Sequence, residues 1–301
     1  MRLSIGPIQY YWTRQTIFDF YDAVAETSVD ILYLGEVVCS KRRQLKTADW
    51  VDLAKHLTHK GKQVVLSTLT LIEAESELKT MRRICRQEDF MVEANDMGAV
   101  QLLTGKQAAF VTGPFINIYN DKTLACLVKQ GLKRWVMPVE LSGDALKKIL
   151  NNLSRMDLNS GVETEVYAYG RLPLAFSARC FTARAHSLAK DNCEFICGNY
   201  PDGLEVNTQE KQRLFSLNGI QTQSGDKYNL IQAVPEMQAI GVDIVRLNPQ
   251  LEGMVEVVDT FSKACSGESH TPAGDEQYCN GYWYSQEGLR KVTEPGSIKR
   301  A

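Results

Sequence analysis

No stretch of the 301-residue chain holds the roughly 18 consecutive apolar residues that a membrane-spanning helix needs. The N-terminal MRLSIGPIQYYWTRQ has no charged head followed by an apolar run, so it does not read as a secretory signal, and the chain is read as cytoplasmic. Basic excess is also missing. With 34 Lys and Arg against 36 Asp and Glu the net charge is -2, which leaves no global field for holding nucleic acid by counterion release. The cationic triplet Lys41-Arg42-Arg43 reads as a solvated surface turn. Neither G-x-G-x-x-G nor G-x-x-x-x-G-K-[ST] follows any apolar run, which leaves nucleotide binding without its usual cradle. Histidines number four, and His56, His59, His186 and His270 form no H-E-x-x-H motif.

Ordinary globular material is present in quantity. Hydrophobic residues make up 44% of the chain and charged residues 23%, enough for a sizeable core. Eight short apolar runs, 3–8, 30–36, 63–68, 90–95, 108–113, 134–139, 164–170 and 243–248, read as buried strands. Amphipathic stretches such as TRQTIFDFYDAVAET, TADWVDLAKHLTHKG and SGDALKKILNNLSR separate most of them. Eight strand-helix units predict an α/β fold closed as a (β/α)8 TIM-like barrel, a form that commonly uses about 250 residues. A doubly wound open sheet is the other arrangement this alternation allows. The expected organisation is a barrel over 1–264 and a C-terminal extension over 265–301 packed on it.

The alternation breaks between strands seven and eight. A long connection there carries RLPLAFSARCFTARAHSLAKDNCEFICGNYPDGL, residues 171–204, with Cys180, Cys193 and Cys197 spaced C-x12-C-x3-C. Connections this long are usually functional, and in a barrel this one leaves the carboxyl end of a strand, where active sites lie. Clustered thiols in a reducing compartment point to metal or redox work; four thiolates suit either tetrahedral zinc or an iron-sulfur cluster. The fourth could be Cys39, Cys85, Cys126, Cys265 or Cys279. Cys85 and Cys126 fall at helical positions that read as buried, whereas Cys39 follows strand two, three residues beyond Glu36, on the face of the long loop.

Other polar residues fall at or just past strand ends: Glu36, Glu93, Asn95, Asp96, Asn117 and Asn248. Such positions hold substrate in barrel enzymes but also cap helices, and Asp96 before MGAVQLL reads equally as an N-cap. In QYCNGYWYSQEG, Tyr278, Tyr282, Trp283 and Tyr284 could cover an aromatic substrate or a partner, or anchor the tail. No catalytic acid or base is assigned.

DILYLGEVVCSKR and EVYAYGRLPLAFSARC resemble the collagenase-like peptidase family. Glu165, Tyr167, Gly170 and Cys180 stand in register with that family's signature of an acid, an aromatic, a glycine and two cysteines seven residues apart. Pro173 replaces the first of those cysteines and Ala178 the second glycine; Cys39 could supply the missing ligand. Together with C-x12-C-x3-C and the NGYWY segment, the chain is similar to the branch of this family that serves oxygen-independent ubiquinone biosynthesis. The resemblance implies a 4Fe-4S cluster on Cys39, Cys180, Cys193 and Cys197. It implies a heterodimer with a UbiU-like member carrying its own cluster, an aromatic quinone precursor as substrate for ring hydroxylation, and prephenate as the oxygen source. A peptidase and a noncatalytic electron-transfer or scaffold subunit are the other functions the sequence allows.

Overall fold

The computed structural model describes residues 1–158, 161–268 and 277–293. Eight strands close a parallel barrel: β1 (Arg2–Ile5), β2 (Ile31–Leu34), β3 (Gln63–Ser67), β4 (Met91–Ala94), β5 (Phe110–Thr112), β6 (Leu132–Val136), β7 (Glu163–Phe176) and a last strand over Ile244–Leu247 that pairs with both β7 and β1. All eight runs expected from the sequence are strands, and the barrel rather than the open sheet is the fold. Helices α1 (Arg14–Ala25), α2 (Thr47–His59), α3 (Glu75–Ile84), α4 (Met97–Gly105), α5 (Asp121–Lys129) and α6 (Gly143–Ser154) follow the first six strands. Several begin on a side-chain cap that satisfies a free backbone donor: Thr13 accepts from Thr16 N, Asp96 from Gly98 N, Asn120 from Thr123 N and Ser142 from Ala145 N. One layer of the barrel interior is apolar, built from Ile31, Val65, Val111, Val136 and Ile244 around the Tyr33 ring.

β7 departs from the expected element. It runs 14 residues, six past Gly170, and its second half pairs antiparallel with β10 (Gln221–Asn229). The segment 171–204 is therefore not all loop: it opens as strand, continues as α7 (Phe181–Ala185) and two 3-10 turns, and ends at β8 (Leu204–Asn207). β8, β9 (Arg213–Asn218) and β10 form an antiparallel meander beside the barrel. α8 (Val234–Ile240) then leads into β11, the Ile244–Leu247 strand. Gly170 sits at φ +108 where a Cβ would come 2.8 Å from Asn248 Cβ, so only glycine lets β7 pass this close to the end of β11.

α9 (Met254–Ser266) completes the helical layer and takes in Cys265, one residue past the expected barrel boundary. The tail then returns as β12 (Tyr278–Cys279), which pairs with β10. Trp283 donates from Nε1 to Glu236 of α8 at 2.9 Å, and its backbone N–H donates to Tyr228 Oη at 3.1 Å. Its ring lies so close to Gly143 that a Cβ there would stand 2.8 Å away. Of the three uses open to the aromatic segment, the buried Trp283 and Tyr284 serve anchoring.

Candidate functional site at the carboxyl end of the barrel

The loop after β2 and the segment after β7 meet above the barrel. Cys39 sits in the first, where Val38 N and Cys39 N both donate to Glu36 Oε1, at 2.9 and 3.0 Å. Cys180 caps α7, its sulfur accepting from Ala183 N at 3.4 Å. Cys193 ends one 3-10 turn and Cys197 lies in the next. Cys39 and Cys193 pack against a small buried cluster of Val37, Val38, Cys180, Ala183 and Ile220. Cys197 interacts electrostatically with Cys180 and Cys193, and Cys39 with Cys197, so the four thiols are neighbours. They do not close to single-ion distances: among the described residues no three His, Cys, Asp or Glu side chains stand at metal-binding spacing. Two lysines lace the segments together. Lys41 Nζ donates to Lys190 O at 2.7 Å and lies 3.1 Å from Asp191, while Lys190 reaches Ala178 O at 2.8 Å and pairs with Glu73.

Arg42 corrects the reading of the cationic triplet as a solvated turn. The turn closed by Arg42 N on Cys39 O aims its side chain inward, and the residue is only 4% exposed. Nη1 donates to Gln9 O at 2.6 Å, Nη2 to Asn218 Oδ1 at 2.8 Å, and the guanidinium neighbours Cys197 and Cys39. Burial pushes both thiols up and Arg42 holds them back. Burial likewise pushes Glu36 up to about 6, against the pull of Arg42 and of its two backbone donors. Tyr11 lies under the guanidinium, 5.9 Å from it, and stacks on the half-exposed Phe195 between Cys193 and Cys197.

Beneath this surface the barrel holds a buried polar layer. Arg246 of β11 bridges Glu93 (Nη1 to Oε1, 2.8 Å) and Glu165 (Nε to Oε1, 2.7 Å), with its guanidinium 4.0 Å from the Tyr33 ring centroid. Ser4 and Tyr33 donate to Glu165 at 2.6 and 2.5 Å, Ser67 to Glu93 at 2.6 Å, and Arg134 to Tyr33 Oη at 3.0 Å. Burial alone would push Glu165 up; Arg246 and Arg134 more than offset it and hold the carboxyl below its ordinary value. Several buried atoms near this layer have no hydrogen-bond partner among the described residues: Arg246 Nη2, Asn95 Oδ1, Asn248 Oδ1 and Thr112 Oγ1.

Of the six polar strand-end residues, the structure thus gathers Glu93, Asn95 and Asn248 at the barrel mouth. Asp96 is an N-cap, Asn117 is exposed and Glu36 braces the Cys39 loop. Sequence reasoning missed Arg42, Arg134 and Arg246. The last two carried a signal, a charge at an inward position of a strand that otherwise reads as wholly buried. Cys85 is buried as expected, but Cys126 is exposed, because α5 turns Leu124, Ala125 and Leu127 inward and leaves Cys126 on the far face. Cys265 lies on α9 and Cys279 on β12, remote in the chain from the four gathered thiols. His56 contacts Asp22 at 3.1 Å, His59 contacts Lys55 O and His186 contacts Tyr200 Oη at 2.8 Å; His270 lies outside the described residues.

Residues 18–266 match the model of Peptidase family U32. The chain belongs to this family. Among solved structures it is similar to the U32 peptidase Mk0906, at 12% identity and a TM-score of 0.44, covering 83% of this chain and 93% of that one. It is similar also to the phospho-2-dehydro-3-deoxyheptonate aldolase of Thermotoga maritima (11%, TM-score 0.40, 89% and 69%) and to the dihydropteroate synthase of Thermus thermophilus (13%, 0.38, 87% and 94%). No helix among the described residues is long and apolar enough to cross a membrane.

Proposed function

We propose that Cys39, Cys180, Cys193 and Cys197 hold a 4Fe-4S cluster, and that the protein is a UbiV-like subunit of an oxygen-independent hydroxylase acting on ubiquinone-precursor rings. Its partner in this reading is a UbiU-like member of the same family, with prephenate as the oxygen source. The observation that carries the proposal is the meeting of four thiols from two distant segments, with no histidine among them in the described residues and Arg42 beside them. An all-thiol donor set is soft, the ligand type that iron-sulfur clusters take. When bound, the cluster would supply electron transfer or Lewis acidity. The chain's own part is to fix the four ligands, to place the Arg42 charge beside two of them, and to exclude water from Cys180.

Anaerobic purification tests the cluster. About four irons and four sulfides per chain are expected, most of them lost on changing any of the four cysteines to Ala and kept in Cys85→Ala and Cys126→Ala. A colourless zinc protein would sink the assignment. Co-expression with the UbiU-like partner should give a 1:1 complex that transfers labelled oxygen to the quinone ring, with neither chain active alone.

The family name supports a second reading, a peptidase. Nucleophilic catalysis needs a nucleophile beside a base, and among the described residues no histidine bonds a Ser, Thr or Cys side chain. Cleavage of gelatin by metal-defined protein would favour this reading over the hydroxylase.

A further inference from the structure

Between α2 and α3, at the carboxyl ends of β2 and β3, lies a cavity of about 370 Å3. It is lined by Leu34, Leu66 and Leu69 from the strands, by Trp50 of α2 and by Met81 and Ile84 of α3. Space of this size in a close-packed wall leaves the lining atoms without neighbours, and cavities of this volume with apolar walls and a few polar groups are typical small-molecule sites. None of the four gathered thiols lines it.

The charges around it are unequal. Five lining side chains are cationic and two anionic, in a chain whose net charge is -2. Glu36 is offset by the neighbouring Arg42, and Glu77, which accepts from Ser40 Oγ and from Glu73 and Ala74 N, is the one anion left against Arg43, Lys46, Lys79 and Arg83. Arg42 is turned to Gln9 and Asn218. Lys79 and Arg83, four residues apart on one face of α3, form no ion pair or side-chain hydrogen bond among the described residues, and Arg43 donates only to Ser40 O. An unneutralised cationic rim over an apolar base selects a ligand with an acidic end and an apolar body. A ring meets an indole, a thioether and planar guanidinium groups, each a favourable neighbour for an aromatic face.

We propose that this cavity binds a small aromatic carboxylate, with the ring between Trp50 and Met81 and the carboxylate held by Lys79 and Arg83. The proposal does not depend on the cluster, since it concerns a different set of side chains.

Calorimetric titration of the full chain with 1-naphthoate, 1-naphthalenemethanol and decanoate tests it. Naphthoate is expected to bind at least about tenfold more tightly than the alcohol, a margin that added salt narrows. Lys79→Gln with Arg83→Gln should remove the margin and leave the alcohol's affinity unchanged. Both residues are exposed, so the fold should survive, as an unchanged circular dichroism melt will show. The indole N–H resonance of Trp50, assigned through Trp50→Phe, should shift during the titration while that of the buried Trp135 stays. Equal affinity for acid and alcohol, a margin that survives the double variant, tighter binding of decanoate, a silent Trp50 or no binding at millimolar ligand each overturns the proposal. None of these outcomes bears on iron content.

Discussion

Arg42 lies beside the Cys197 thiol while its Nη1 and Nη2 are bound to the Gln9 carbonyl and the Asn218 side chain at 2.6 and 2.8 Å. One buried cation therefore joins the segment after β1, the loop that carries Cys39, the meander and the 3-10 turns after α7. Arg42→Ala should cost about 3–5 kcal/mol, the usual loss when a buried charge network is opened. Arg42→Lys should recover little, because an ammonium cannot span Gln9, Asn218 and a thiol together. Chemical denaturation of both variants checks the first expectation, and their iron retention under anaerobic conditions checks the link to the thiols.

Acid should act through Glu165. Its carboxyl is held below the ordinary value in the folded state by Arg246 and Arg134, which outweigh burial. The stabilisation is therefore complete above the unfolded-state value of about 4.3 and is lost as pH falls through the lower folded-state value. Stability measured between pH 6 and 2 should fall late, below pH 4. Glu165→Gln should lose about 3–5 kcal/mol at neutral pH and show a flatter acid limb, since the group that titrates is gone.

Thiol alkylation should follow burial. Cys126 is exposed and should react first. Burial pushes Cys85 up to about 11 and Cys279 up to about 12, so neither offers thiolate at neutral pH, and both should label only after denaturant is added. Peptide mapping by mass spectrometry reads the order.

Trp283→Ala should release the tail. The indole fills the space over Gly143 and its N–H holds Glu236, so truncation should cost about 3–5 kcal/mol and open 277–293 to protease while the barrel resists.

If the four thiols hold the proposed cluster, its oxidative loss should leave the barrel folded and loosen the segment that carries Cys180, Cys193 and Cys197. First cuts on limited proteolysis in air are expected between Ser187 and Gly203, where short 3-10 turns and left-handed Ser187, Glu194 and Phe195 leave little regular pairing. A protein that unfolds throughout on bleaching would mean that the cluster staples the whole fold.

The eight barrel strands were legible because strands buried on both faces read as short apolar runs, and Val65, Val111 and Ile244 could face nothing but core. The second half of β7 was hidden by Pro173, which argues against a strand interior. Pro173 is tolerated because its partner Gln223 lies between two register shifts, where the ladder is already broken. β8 was hidden for another reason: its side chains alternate between half-buried and exposed, so LEVN carries almost no apolar signal. Cys39 could be placed from its distance past β2. Arg42 could not, since three adjacent cations look alike until a turn decides which one points inward.

Tyr169 is the residue at which β7 changes company, opposite Leu247 of β11 and also opposite Asn229 of β10. β7 thus belongs to both the barrel and the meander as far as Phe176, and three of the thiols follow on the short turns beyond it. The meander is tied into the seam of the barrel, and it could tilt only by unzipping that seam. Phe195, exposed and stacked on Tyr11 between Cys193 and Cys197, is the apolar part of this surface that the proposed partner chain would meet.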